Sequence, residues 1–220
     1  MTVTIYGIVA SRAVRPLWVA KELGLAFDHV HTPYLGGGAR TPDMLALNPN
    51  GHIPVVVDHR PEGDVVVWES MACALYLARV HGVADGVGIA PATAGEEADA
   101  LRWAFWAVTE VEKDALTVLM HLLAMPADQR KPELAAAAEK RLLGPLQVLE
   151  QHLQRQHAAG QACLATDRFT VADACVASVV GWCKPARGLL AQVPRVSAWL
   201  EACMARPAQQ ELRAMARSGL

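Results

Sequence analysis

Every run of this sequence that suits a β-strand lies before residue 69, and every clear periodicity after residue 95 is helical. That division constrains the fold more than any other feature. The β-branched run 2–6 reads as a strand; Val14, Leu17, Trp18 and Ala20 then recur at helical spacing toward Leu23, where Gly24 stops the pattern. Residues 26–31 alternate as a second strand, and 44–47 makes one helical turn ahead of the turn signal Asn48-Pro49-Asn50-Gly51. Two apolar runs, 55–58 and 65–68, flank His59-Arg60-Pro61-Glu62-Gly63 as a hairpin, and a helix carrying Ala74, Leu75, Leu77 and Ala78 starts at Ser70. The order is β-α-β-α-β-β-α, an α/β domain over residues 1–82.

Residues 83–95 are rich in Gly, Ala and Pro and read as a linker. From 96 to 123 a long helix bears Leu101, Ala104, Phe105, Val108, Val111, Leu116 and Leu119, and Pro126 ends it. Further helices are expected at 132–157, 171–182 and 196–205, so residues 96–220 read as an all-helical bundle domain.

The totals exclude several functions. With 53% apolar residues in 220 the chain can fill its cores, and a net charge of -2 with both signs interspersed supplies no basic field for nucleic acid. Five cysteines, none in C-x-x-C spacing, suggest neither a disulfide framework nor a paired redox motif, and fit a reducing cytoplasm. Residues 1–11 lack a basic leader before Arg12 and Arg15, so no signal peptide is expected. No stretch reaches the roughly 20 apolar residues of a membrane span, so neither a membrane nor nucleic acid is expected as a partner. Gly36-Gly37-Gly38 lacks a following Lys-Ser or Lys-Thr and reads as a flexible loop instead of a phosphate cradle. His152 and His157, five apart, do not share a helical face for zinc, so no metal is expected.

Three local patterns point to one ligand. Tyr6-Gly7 precedes the helix entry Ser11-Arg12-x-Val14-Arg15; Asn48-Pro49-x-Gly51-x-Ile53-Pro54 follows; Glu69-Ser70 opens a helix. Together they resemble the glutathione-site signature of cytosolic glutathione transferases, of the bacterial type with a serine at the thiol-activating position. Thr170-x-x-Asp173 is similar to the capping box of that family's C-terminal core. The resemblance implies a thioredoxin-like first domain, glutathione as co-substrate, a cytoplasmic homodimer and a detoxification role. The implied second partner is a small, electrophilic, largely apolar substrate.

Each residue also has a plainer reading. In the family the bond corresponding to Ile53-Pro54 is cis, which would turn the Ile53 N–H and C=O toward the cysteinyl amide of the tripeptide as an added strand does; otherwise it is a turn before a strand. Ser70 can give its N–H and hydroxyl to the γ-glutamyl carboxylate at a helix N-terminus, with Glu69 accepting from the ammonium, or it is an ordinary N-cap. Ser11 can donate to the glutathione sulfur and favour the nucleophilic thiolate, or cap the first helix; Pro16 requires that helix to start near residues 12–14. Tyr6 is a competing thiol partner or a side chain packed at the strand end. His52 lies where the family often holds a basic residue near the glycine carboxylate, and a histidine is only partly charged at neutral pH; a solvated loop residue is the other reading. Arg12 and Arg15 add positive potential or form surface ion pairs. Trp103 and Trp106 line a second-substrate pocket or pack in the bundle.

The reaction expected is transfer of the glutathione thiolate to an electrophile. A glutathione-dependent reductase, peroxidase or isomerase on the same scaffold, or a non-catalytic binding module, are the alternatives.

Overall fold

The N-terminal β-branched run forms β1 (Thr2–Gly7), with Val3 and Ile5 fully buried on its inner face. The computed structural model describes residues 2–83 and 86–218. Alpha helix α1 (Val14–Glu22) carries the crossover to β2 (Phe27–His31), which pairs parallel to β1. Pro16 is the third helical residue of α1, inside the first turn where its missing N–H costs nothing, and Gly24 at φ 61° ends the helix. Leu17, Trp18, Val19 and Ala20 are buried. Around the triple glycine the chain makes 3-10 turns over Leu35–Arg40, interrupted by a kink where Gly36 and Gly37 take positive φ.

After α2 (Pro42–Leu47), capped by the Thr41 hydroxyl, come β3 (Val55–His59) and β4 (Val65–Trp68), both antiparallel to their neighbours. The sheet order is β2-β1-β3-β4. Helix α3 (Ser70–His81) packs against α1.

The helical part begins with α4 (Ala94–Trp106), continues through a π turn at Ala107–Val111 into α5 (Glu112–Leu119), and ends in a second π turn at Met120–Ala124. Helix α6 (Pro132–Ala158) accommodates Pro145 internally. Helix α7 (Val171–Val180) is buried along its whole length, which its nearly continuous apolar sequence requires. A single turn α8 (Arg187–Leu190), then α9 (Pro194–Met204) and α10 (Pro207–Arg217), complete the chain.

The chain separates into two units, Met1–Ala92 with Arg206–Leu220, and Thr93–Ala205. Residues 206–220, expected to belong to the helical domain and without an expected helix, do not group with it. Instead α10 packs on α1, where Arg206 makes a two-point ion pair with Glu22 at 2.7 Å and Lys21 meets Glu211 at 2.8 Å. Of the linker expected at 83–95, Ala84 and Asp85 lie outside the described residues, and Ile89 and Ala90 are buried rather than solvated. No helix among the described residues is long and apolar enough to cross a membrane.

Candidate functional site

Sheet register brings the three sequence patterns to one edge. Val30, Tyr6, Val55 and Trp68 form a row straight across the sheet. The chain leaving β1, the chain entering β3 and the chain leaving β4 therefore all pass the same edge.

Beyond β1 the backbone folds back on itself at Gly7. Its φ is 148°, and a Cβ there would stand 2.5 Å from that of Ala13, so only glycine fits. The Gly7 carbonyl is held by the Thr32 amide at 3.2 Å and by His29 Nε2 at 3.0 Å. Ser11 follows, half-buried, three residues ahead of α1. Its Oγ donates to the Ile8 carbonyl at 2.7 Å and accepts from the Ala13 amide at 3.1 Å. Ala13, not Ser11, is the N-cap of α1. The serine oxygen is thus anchored by an amide while its proton rests on a neutral carbonyl, from which it can turn to a stronger, anionic acceptor. Tyr6 packs against the buried cluster of Met44, Val55 and Val57.

Before β3, Asn48 organises the turn. It is 3% exposed; its side chain donates to the His52 carbonyl at 2.9 Å and accepts from the Asn50 amide at 3.1 Å, and its own carbonyl accepts from Gly51. Gly51 sits at φ 63°, where a Cβ would meet the Arg40 stem at 3.0 Å. The Ile53-Pro54 bond is cis. The β1–β3 pairing runs no further than Tyr6 opposite Val55, so Ile53 lies outside the ladder. His52 is exposed.

After β4, Glu69 adopts φ 69° and ψ 115°, the one non-glycine residue with positive φ among those described. Such a conformation costs on the order of 1–3 kcal/mol. It turns the chain sharply from Trp68 into α3, whose first bond runs from the Cys73 amide to the Glu69 carbonyl. Glu69, exposed, is the N-cap; Ser70 is the first helical residue, 5% exposed. The N-cap reading of Ser70 is therefore incorrect. Its hydroxyl accepts from Arg15 Nη1 at 2.7 Å.

Arg15 corrects a second expectation. It is 1% exposed, an interior side chain and not a surface one, because residues 15, 18 and 19 share the inner face of α1. That spacing was available in the sequence; the charge of the side chain concealed it. Arg12 is exposed.

Two of the chain's own buried thiols are poor nucleophiles. Burial pushes Cys73 and Cys183 up to about 12, so neither is a thiolate at neutral pH. Among the described residues no cluster of three His, Cys, Asp or Glu could hold a metal.

Within the helical unit Trp103 is buried and Trp106 half-buried, their rings edge-to-face at 5.1 Å. The His152 ring lies against Trp103, centroids 4.7 Å apart and planes tilted by 55°. Burial lowers the pKa of His152, and its Nε2 contacts the Leu164 carbonyl at 2.7 Å. The expected capping box is present: Asp173 accepts from the Thr170 amide and hydroxyl, and also from the Leu164 amide and Trp199 Nε1 at 2.9 Å each.

The chain is similar to known proteins over most of its length. Residues 1–79 match the family described as "Glutathione S-transferase, N-terminal domain" and residues 113–207 match "Glutathione S-transferase, C-terminal domain". Glutathione S-transferase 3 of Zea mays is 36% identical over 217 residues, covering 94% of this chain and 91% of that protein. Glutathione S-transferase GstB of Escherichia coli (strain K12) is 28% identical over 179 residues, 81% of each. The solved structure of glutathione S-transferase III in apo form superimposes with a TM-score of 0.79 at 35% identity, over 97% of this chain and 96% of that one.

Proposed function

The chain belongs to the glutathione transferase family and is an enzyme of that kind, and from that premise we propose that Ser11 holds the glutathione sulfur as a thiolate. The observation that supports the assignment is that β1 runs out toward Ser11, β3 is entered from Ile53-Pro54 and β4 runs out into Glu69-Ser70 at one and the same end of the sheet. A tripeptide laid along that edge has a partner for each part. Ser70 takes the γ-glutamyl carboxylate with its N–H and hydroxyl, aided by the start of α3, and Glu69 takes the ammonium. Ile53 pairs its backbone with the cysteinyl amide. His52 faces the glycine carboxylate.

The sulfur then lies toward Ser11. Turning the Ser11 proton from the Ile8 carbonyl to the sulfur stabilises the anion without a general base. Lowering a thiol pKa by about two units corresponds to roughly 2.7 kcal/mol, within reach of a charge-assisted hydrogen bond. The thiolate attacks an electrophilic carbon of a small, largely apolar second substrate, forming a C–S bond, while the displaced electron pair leaves with a leaving group or moves onto the substrate's acceptor atom. Trp103 and Trp106 are our candidates for lining its pocket, and Trp106, the less buried of the two, has the more accessible ring. We assign the protein to the cytoplasm as a homodimer with a detoxifying role.

Ser11→Ala tests the reading. The titration midpoint of the bound glutathione thiol should rise by about one to two units and conjugation at pH 7 should fall about 10- to 100-fold. Tyr6→Phe should leave the midpoint in place. A Ser11→Ala enzyme with the wild-type midpoint would overturn the assignment.

A further inference from the structure

Arg15 is the unexpected member of this neighbourhood. It is a guanidinium carried into the interior by the second residue of α1, and its Nη1 lies 2.7 Å from Ser70 Oγ with both residues buried. That distance is at the short end for a charge-assisted hydrogen bond.

A serine hydroxyl has one proton and two lone pairs. Arg15 has no acceptor to offer, so Ser70 must accept from it, and one lone pair is spoken for. The Ser70 proton is left pointing away from Arg15, and it finds no acceptor among the described residues, although Ser70 is only 5% exposed. A buried O–H held in one orientation without a partner is costly unless a ligand supplies the acceptor. Beside it are the unpaired N–H groups that open α3. Anchored donor, free amides and a buried positive charge behind them all favour an anion.

We propose that Arg15 is a positioning residue for glutathione. It locks the Ser70 hydroxyl in the donating orientation toward the γ-glutamyl α-carboxylate and reinforces that end of the site with its charge. The proposal rests on the reading of Ser70 given above. It predicts a specific division of labour: Arg15 acts on the carboxylate end of the tripeptide, Ser11 on the sulfur.

The test is calorimetric binding of two ligands, glutathione and its analogue with the γ-glutamyl α-carboxylate converted to the amide, to wild type, Arg15→Met, Arg15→Lys and Ser70→Ala. Arg15→Met should weaken glutathione about tenfold and the amide analogue by less than about twofold. Its KM for glutathione should rise by a similar factor, while kcat at saturating glutathione and the midpoint of the bound thiol stay near wild type. Arg15→Lys keeps the charge and the packing of the stem, so it serves if the methionine variant fails to fold. It should lose about threefold for glutathione and nothing for the amide, because an ammonium on a shorter reach restores charge without the geometry. Equal losses for both ligands in either variant, or unchanged glutathione binding in Arg15→Lys with Arg15→Met also unchanged, would overturn the proposal. Ser70→Ala separates the two claims: if it binds glutathione as wild type does, the reading of Ser70 fails, whereas weakened binding there with intact binding in the Arg15 variants refutes only the role of Arg15.

Discussion

Asp58, on β3, takes no part in the ligand chemistry, yet it is fully buried and gathers Arg60 Nε and the Tyr76 hydroxyl at 2.8 Å and His81 Nε2 at 3.0 Å on one oxygen. Burial raises the pKa of this carboxyl, but the hydrogen bonds from Arg60, Tyr76 and His81 outweigh it and hold the group below the usual carboxylate range. A carboxyl lowered in the folded state contributes stability that is complete above its unfolded value, about 3.9, and disappears as pH falls through the folded value. Asp58→Asn should therefore be less stable than wild type at pH 7 and should show a flatter loss of melting temperature below about pH 4; parallel pH profiles would refute this. Nothing in the residue order announced the cluster. Asp58 reads as the polar end of an apolar run, and its partners come from a hairpin turn and from two positions on α3. Arg15 differs, since its place on the buried stripe of α1 could be counted in advance, while its hydrogen bond to Ser70 could not.

Among the elements, α7 and α9 show how a helix start can be local or borrowed. The start of α7 is written within four residues, Thr170 to Asp173, and was legible. What the spacing did not disclose is that the same carboxylate also holds Leu164 and Trp199. Asp173→Ala removes the acceptor of four buried donors, each costing about 1–3 kcal/mol when orphaned. Thermal scans should show a drop of at least about 5 °C, with the thiol midpoint of bound glutathione unmoved. Helix α9 has no side-chain cap of its own; Glu150 of α6, 6% exposed, accepts from the Arg195 and Val196 amides at 3.1 and 2.9 Å. Glu150→Gln should retain most of that cap, and Glu150→Ala should cost about 1–2 kcal/mol in denaturant unfolding. Equal stability of the two variants would contradict the borrowed cap. Helix α10 was missed for a related reason. Pro207 at its first position is a fair start signal, but its composition is polar and its apolar face is made meaningful only by α1.

For the whole molecule, the return of the chain to its first unit has a consequence. Removing residues 206–220 takes away the two-point partner of Glu22, whose side chain is 7% exposed and also accepts from Trp18 Nε1 at 2.9 Å. Arg206→Ala should cost about 2 kcal/mol and lower glutathione affinity only through unfolding, so that affinity measured well below the melting temperature stays near wild type. Sedimentation of the intact protein should give twice the 23.6 kDa chain mass if the homodimer assignment holds. The order of strands and helices, the α/β-then-helical division and the three ligand-site patterns were all decided by the sequence, because period, turn residues and caps act over a few neighbours. Which strand lies beside which, the shared end of the sheet that β1, β3 and β4 reach at Tyr6, Val55 and Trp68, the inward turn of Arg15 and the allegiance of α10 belong to the tertiary structure alone. Those depend on what a residue meets from 50 or more positions away, as Arg15 meets Ser70 and Arg206 meets Glu22, and burial and partner geometry of that kind leave no periodic trace along the chain.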